Sequence, residues 1–414
     1  MKILVVGGGS GGHITPAVAV VREILEKRPR TKIEFWTDKK YYKNVVKITT
    51  EIGVHWGEED KLGSKKNPYI QVKKVMAGKF HRYSGLTLEN YFSEGAKTLR
   101  DVTFGNLFGF FGFLGGIFGA FFRLVKKKNR PDVIFLKGGF VGLPVGIVAR
   151  WFKIPYVIHE SDAVPGLANR LLMKHAKVVA MGMPFDSGVA GRKHWIWVGI
   201  PVAAEFKKIS NTTQKQLKRS AGFDPEKPLV MVTGGSQGAE HINTAMREIL
   251  PEMLKFASVG LVAGRKHYEE MVDLKKKYEE WDKAKLQSNF RLWKFSPVMN
   301  ELLGAADVVI SRAGATTIAE LAVLSKPVVL IPYEKLPGDH QSRNAERLER
   351  EGAVMVVPDS KMVENSAELL GVVKTLIKDS KKREELAKKL HDESKTDAAE
   401  RLADILVEIG VGSL

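Results

Sequence analysis

The sequence has no cysteine at all, which removes disulfide staples and thiolate metal centres and fits a reducing compartment. It also lacks an Asp-x-Asp pair of the kind that grips a metal-bound diphosphate, and no His or carboxylate cluster has metal-ligand spacing. Chemistry without a metal or other cofactor is therefore expected. Acidic residues are in short supply: 47 Asp and Glu stand against 65 Lys and Arg, a net charge of +18. Such a balance calls for an anionic partner. No zinc-finger, RNP or helix-turn-helix signature accompanies it, so the expectation is a phosphorylated substrate or an anionic lipid surface, and no nucleic acid. Part of the charge is a solvated helix face, as in the Glu-interleaved stretch 381–389. The opening MKILVVGGGSGGH is expected to be a strand entering a turn, not a leader, because no separate apolar core and cleavage site precede it.

What is present is a repeated rhythm. The 414 residues suffice for two domains of roughly 200 residues. Strand-length apolar runs at 1–6, 32–37, 133–136 and 156–159 alternate with helical stretches. The alternation restarts at 229–233 and continues at 260–263, 308–311 and 327–331. This predicts an α/β protein of two doubly wound, Rossmann-like domains with parallel sheets. Each half opens on strand, Gly-rich turn and helix: Gly7 to His13 in the first, Gly234 to Ala239 in the second. Ligands of such sheets bind at the carboxyl ends of the strands, so two facing domains would frame a cleft. The boundary is expected near 198–206, giving a domain 1–200, a domain 201–395 and a terminal helix within 396–414.

Residues 104–122 carry no charge and are followed by Lys126, Lys127 and Lys128. The segment is long enough to span a bilayer. Yet the flanking strands, near 69–75 and at 133–136, should share one sheet, which a single crossing would forbid. Six glycines in it also weaken helix propensity. An interfacial segment with its lysines on anionic headgroups is the expectation; a buried helix pair, a re-entrant hairpin and a true span are the alternatives.

Several motifs carry chemistry. Gly7-x-Gly9-x-x-Gly12, with Asp38 at the end of the second strand, formally matches the dinucleotide fingerprint, but glycines there also serve turn geometry alone. His13 closes that turn at a helix N-terminus, where the positive helix end disfavours an imidazolium and suits a neutral general base. A surface histidine is the plain alternative. In the second half, backbone N–H groups of 234–239 and the Ser236 hydroxyl form a candidate diphosphate site. The stretch Ser311-Arg312-Ala313-Gly314-Ala315-Thr316-Thr317-Ile318-Ala319-Glu320 runs from strand to helix with small residues where a ligand approaches. Glu320 could accept two hydrogen bonds from a ribose diol, or face solvent. Gln341 and Asn344 are three apart and share a helix face, and their amides suit sugar hydroxyls.

These residues resemble the MurG family, UDP-N-acetylglucosamine transferases that convert lipid I to lipid II in peptidoglycan synthesis. The likeness runs in order through GGGSGGHITPA, KGGFVGLPVG, IHESDAVPGLANR, VGIPV, GGSQGAEHIN, SRAGATTIAEL, HQSRNA and DAAERLAD. It implies a GT-B fold, with the donor in the second domain and the last helix returning to the first. It also implies a peripheral enzyme at the cytoplasmic side of the cell membrane, docked through an apolar patch that 104–122 would supply. Ser10, Gly11, Gly12 and His13 would lie near the acceptor and the reacting centre, with Asp162 close by. Ser236 would meet the donor phosphates. Ala315, Thr316, Thr317, Ile318, Ala319 and Glu320 would hold the nucleotide, Ser296 would mark where backbone reads uracil, and Gln341 would face the GlcNAc hydroxyls. Residues 79–83 would belong to the loop meeting the acceptor diphosphate. Partners would be UDP-GlcNAc, lipid I and an anionic membrane surface.

Three positions depart from the family pattern. The usual threonine of the first turn is Ser10; the usual Glu-Gln-Asn is Glu160-Ser161-Asp162; and Gly199-Ile200-Pro201-Val202-Ala203 lacks the usual basic residue. An added anion and a missing cation both disfavour a diphosphate, so a different substrate or reduced activity is the expectation from these positions. The rival functions are a glycolipid synthase acting on diacylglycerol, a UDP-GlcNAc 2-epimerase, a nucleotide-dependent dehydrogenase using Asp38, and a non-catalytic nucleotide-sugar-binding membrane scaffold.

Overall fold

The computed structural model describes residues 1–52, 67–78, 95–184, 194–235, 238–276, 289–334 and 339–412, with backbone alone at 51 and 95–104. The chain divides into two compact units, one formed by Met1–Ala203 with Thr396–Leu414 and the other by Ala204–Lys395.

The first unit is built on a seven-stranded sheet in the order β3-β2-β1-β4-β5-β6-β7. Its strands are β1 (Lys2–Val6), β2 (Lys32–Thr37), β3 (Ile70–Lys74), β4 (Val133–Leu136), β5 (Tyr156–Glu160), β6 (Val178–Met181) and β7 (Trp195–Trp197). Every neighbouring pair is parallel. Parallel strands are covered on both faces, which is why they read as unbroken apolar runs. In β1, Ile3 and Val5 point into one core and Leu4 and Val6 into the other, the period of two that a strand imposes. The first of these cores also takes Leu402, Leu406 and Ile409 from the terminal helix Ala398–Val411, which packs on the helix Gly11–Lys27. At its rim Lys27 pairs with Asp404 and, at 3.2 Å, with Glu400.

The second unit repeats the plan. Its six strands run β10-β9-β8-β11-β12-β13, with β8 (Leu229–Thr233), β9 (Ser258–Val262), β10 (Phe290–Trp293), β11 (Val308–Ser311), β12 (Val328–Leu330) and β13 (Met355–Val356). All its pairs are parallel too. In each sheet the order reverses beside the first strand, between β1 and β4 and between β8 and β11. Loops leaving those strands at their carboxyl ends are where a doubly wound sheet presents a ligand site.

The apolar segment forms the second half of a 30-residue helix, Gly95–Leu124. Its glycines weaken the helix locally, but they are what lets it dock. A Cβ on Gly116 would stand 2.4 Å from the Met76 carbonyl oxygen, and one on Gly112 would stand 3.2 Å from that of Ala77. The helix also lies on the neighbouring helix Gly142–Trp151. Tertiary packing therefore outweighs the roughly 1 kcal/mol that each glycine costs. The stretch Gly105–Leu124 is long and apolar enough to cross a bilayer and only 22% of it is buried, yet it connects β3 to β4 of one sheet. Gly116→Ala is expected to cost about 1–3 kcal/mol of stability, read from thermal unfolding.

Candidate active site

In the first unit the turn after β1 is held tightly. Gly9, at φ +81°, donates its N–H to Asp38 Oδ1 at 2.9 Å. A Cβ on Gly8 would lie 2.5 Å from that same oxygen. The Asp38 carboxylate thus faces the turn itself, where a dinucleotide pyrophosphate would need free N–H groups, so the fingerprint glycines serve geometry here.

Ser10 caps the helix Gly11–Lys27 in an extended conformation without a side-chain capping bond. Gly11, Gly12 and His13 form the first turn. The His13 Nδ1 lies 2.9 Å from the Gly8 carbonyl oxygen and 3.1 Å from Ser10 Oγ. A carbonyl can only accept, so Nδ1 carries the proton and Nε2 keeps its lone pair. Desolvation, then the nearby Lys137 ammonium, lower the His13 pKa to about 4 against weaker opposition from its Gly8 bond and Asp162. The ring is therefore neutral at pH 7, with the Nε2 lone pair unprotonated.

Around it the carboxyl ends of β4 and β5 converge. Lys137, 1% exposed, donates to Ser161 Oγ at 2.6 Å. Gly138 and Gly139 follow at φ +99° and +77°; a Cβ on Gly139 would stand 3.0 Å from the His13 ring. Glu160 accepts from Asn169 Nδ2 at 2.8 Å, from the Gly166 N–H at 3.0 Å and from the Asp162 N–H at 3.1 Å. His159 is fully buried, with Nε2 donating to the Gly199 carbonyl at 2.8 Å. Asp162 is half-buried beside this group.

In the second unit, Ser236 and residues 79–83 of the first lie outside the described residues. The helix Ala315–Val323 begins at Gly314, which offers no side-chain cap, so backbone N–H groups of its first turn form a positive end suited to an anion. Ala315, Ile318 and Ala319 are buried and Thr316, Thr317 and Glu320 half-buried. Burial pushes the Glu320 carboxyl up to about 7. Arg312 anchors the loop: it donates to Ile331 O at 3.2 Å, pairs with the buried Asp359 and lies over the Tyr333 ring. His241 Nδ1 meets the other Asp359 oxygen at 2.6 Å.

Of the second unit's expected ligand residues, the Asn344 side chain is engaged otherwise. Asn344 is fully buried and donates to the Ala313 carbonyl at 3.3 Å, so the amide pair does not face a sugar together; Asn344 holds the loop instead. Ser296, for which backbone reading was expected, is 5% exposed, and its Oγ accepts from the Val298 N–H at 3.2 Å. Gln341 is intermediate: Oε1 accepts from the Tyr333 N–H at 3.0 Å, and its amide donors point away from that bond. Lys137, Gly139, Arg312 and Asp359 went unassigned from sequence. The signal for the first two was positional: KGGF leaves β4 as SRAGA leaves β11, at the equivalent switch point.

Residues 3–181 match the glycosyltransferase family 28 N-terminal domain and residues 229–402 the glycosyltransferase family 28 C-terminal domain. A relative from Bacillus cereus is 32% identical, with 86% of this chain and 86% of the relative covered. Another, from Desulfitobacterium hafniense, is 28% identical, with 99% of each covered. Both are named UDP-N-acetylglucosamine–N-acetylmuramyl-(pentapeptide) pyrophosphoryl-undecaprenol N-acetylglucosamine transferase. Among solved structures, MurG of Acinetobacter baumannii aligns with a TM-score of 0.66 at 22% identity, covering 98% of this chain and 99% of that one. That likeness speaks for the two-domain α/β fold.

Proposed function

The chain belongs to glycosyltransferase family 28 and, within it, to the MurG family, and from that premise we propose how it works: as a UDP-GlcNAc-dependent transferase that converts lipid I to lipid II. The observation that carries this reading is the end-to-end likeness to relatives named for that reaction. The geometry adds a base of the right form. His13 Nε2 takes the proton of the acceptor hydroxyl while that oxygen forms a bond to C1 of GlcNAc. The bond from C1 to the diphosphate breaks on the opposite face, so the anomeric centre inverts and UDP leaves with the electron pair. The helix end at Gly314 stabilises the departing charge through backbone N–H groups. Glu320 holds the ribose, and Gln341 turns its amide donors to the sugar.

The enzyme works at an anionic membrane surface, as a peripheral protein on the cytoplasmic side and without a nucleic-acid partner. In support, the helix Gly95–Leu124 exposes Phe108, Phe111, Phe118 and Phe122 at 59–73%, and exposed Lys126, Lys127 and Lys128 follow it. Aromatic insertion beside lysines on headgroups is the chemistry of an interfacial helix. Changing the four phenylalanines to Ser is expected to release the protein from anionic vesicles in a flotation assay; full retention would contradict the docking face.

The acceptor is tested by a panel. Labelled GlcNAc from UDP-GlcNAc should appear on a lipid I analogue and not on diacylglycerol in the same vesicles. Product on diacylglycerol alone would replace the acceptor, and donor binding without product on either would make the protein a scaffold.

A further inference from the structure

The carboxyl ends of four neighbouring strands, β8, β11, β12 and β13, each send one residue to the same place. His241 comes from the first turn of the helix Glu240–Met253 after β8, Arg312 follows β11, Tyr333 follows β12 and Asp359 follows β13. Asp359 stands at the centre, 4% exposed. One of its oxygens pairs with the Arg312 guanidinium, and the other lies 2.6 Å from His241 Nδ1. A carboxylate shared with a guanidinium only accepts, so His241 Nδ1 carries the proton. Burying an ion pair costs about as much as the pair returns, so what this one contributes is geometry.

That geometry passes to the segment after β12. Arg312 Nη1 donates to the Ile331 carbonyl at 3.2 Å, and the guanidinium lies 5.2 Å from the centre of the Tyr333 ring, so the segment is gripped at both ends. The His241 ring lies 6.2 Å from the same tyrosine ring, tilted by 59°. Ser360, next to Asp359, adds a second tie by donating to Glu334 Oε1 at 3.2 Å. The Tyr333 N–H then meets Gln341 Oε1 at 3.0 Å. With its oxygen occupied, the Gln341 amide offers a ligand its N–H donors. Such a group reads acceptor oxygens, which sugar hydroxyls and an acetamido carbonyl supply.

We infer that Asp359 is a positioning residue for the sugar end of the donor. Through Arg312 and His241 it fixes the segment Ile331–Tyr333, and the Tyr333 N–H in turn fixes the Gln341 amide with its donors toward the sugar. The inference deepens the transferase reading above and rests on it for the identity of that sugar.

The test is calorimetric binding of UDP and of UDP-GlcNAc to the wild type, Asp359→Asn, Gln341→Ala and the double variant. The readout is the ratio of Kd for UDP-GlcNAc to Kd for UDP, which isolates the sugar. Gln341→Ala should raise that ratio by about threefold to tenfold, the contribution of one hydrogen bond. Asp359→Asn should raise it by a similar factor, with little change in Kd for UDP. The double variant should be no worse than Gln341→Ala, because both act through one amide. A general structural role for Asp359 would weaken both ligands together and leave the ratio where it was. That result, or additive effects in the double variant, overturns the inference. Should Asp359→Asn fail to fold, Tyr333→Leu removes the ring held by Arg312 and His241 and leaves the ion pair in place: a raised ratio supports the brace, and an unchanged one overturns it. A ratio unmoved by Gln341→Ala also overturns it, since the amide would then not meet the sugar. The readout needs no turnover, so a wild type that binds both ligands and transfers nothing sinks the transferase reading alone.

Discussion

Replacing His13 with Ala is expected to lower GlcNAc transfer by about two to four orders of magnitude, the usual contribution of a positioned general base. The domain should stay folded, because the ring is half-buried at the head of a helix and its partners, the Gly8 carbonyl and the Ser10 hydroxyl, can turn to water. KM for UDP-GlcNAc should change little, since the residues proposed to hold the donor lie in the second unit. His13→Gln preserves a donor toward Gly8 but has no basic nitrogen, so it should be as inactive as Ala. A near wild-type rate for either would remove His13 from the role. With its pKa lowered to about 4, His13 should not limit the rate on the acid side until well below neutrality. An acid limb near pH 7 therefore belongs to another group.

Glu320, whose carboxyl burial pushes up to about 7, is the group proposed for it and the site of the second large effect. Two hydrogen bonds from a ribose diol to a carboxylate are worth about 1.5–3 kcal/mol each, so Glu320→Ala should weaken UDP binding by about a hundredfold or more. The carboxyl is pushed up to about 7 by burial, and only its ionised form accepts both bonds. Affinity for UDP should then fall as the pH drops through 7 and level off above it. Glu320→Gln should bind weakly but with a flat profile. Calorimetric titration with UDP from pH 5 to 8 reads this directly; a wild-type affinity independent of pH would contradict the ribose role.

Much of the scaffold was legible because parallel strands buried on both faces announce themselves as apolar runs. Leu229–Thr233 and Val308–Ser311 have the bounds the sequence suggests. Strands at 178–181, 195–197, 290–293 and 355–356 were not read. They are short or sit at sheet edges, and Arg291 breaks the apolar run in one of them. The helix over 95–124 shows the limit of local propensity, since its glycines count against it until Met76, Ala77 and Gly78 supply a surface that only glycines can approach.

The site divides in the same way. His13 stands in the first turn of the helix after β1 and Glu320 in the second turn of the helix after β11, where position follows from local pattern. Lys137 was invisible because a lysine after a strand reads as solvated, and spacing does not say that Ser161 lies against its ammonium. Asn344 shares a helix face with Gln341 by spacing, but spacing does not say that the Ala313 carbonyl lies against that face.

The most direct test of the whole account is transfer of labelled GlcNAc from UDP-GlcNAc to a lipid I analogue by the wild type, His13→Ala and Glu320→Ala in parallel, at saturating and subsaturating donor. The account predicts lipid II from the wild type, almost none from His13→Ala at any donor concentration, and a Glu320→Ala rate that recovers partly as donor is raised. No product from a folded, UDP-binding wild type, or equal product from all three proteins, would contradict it.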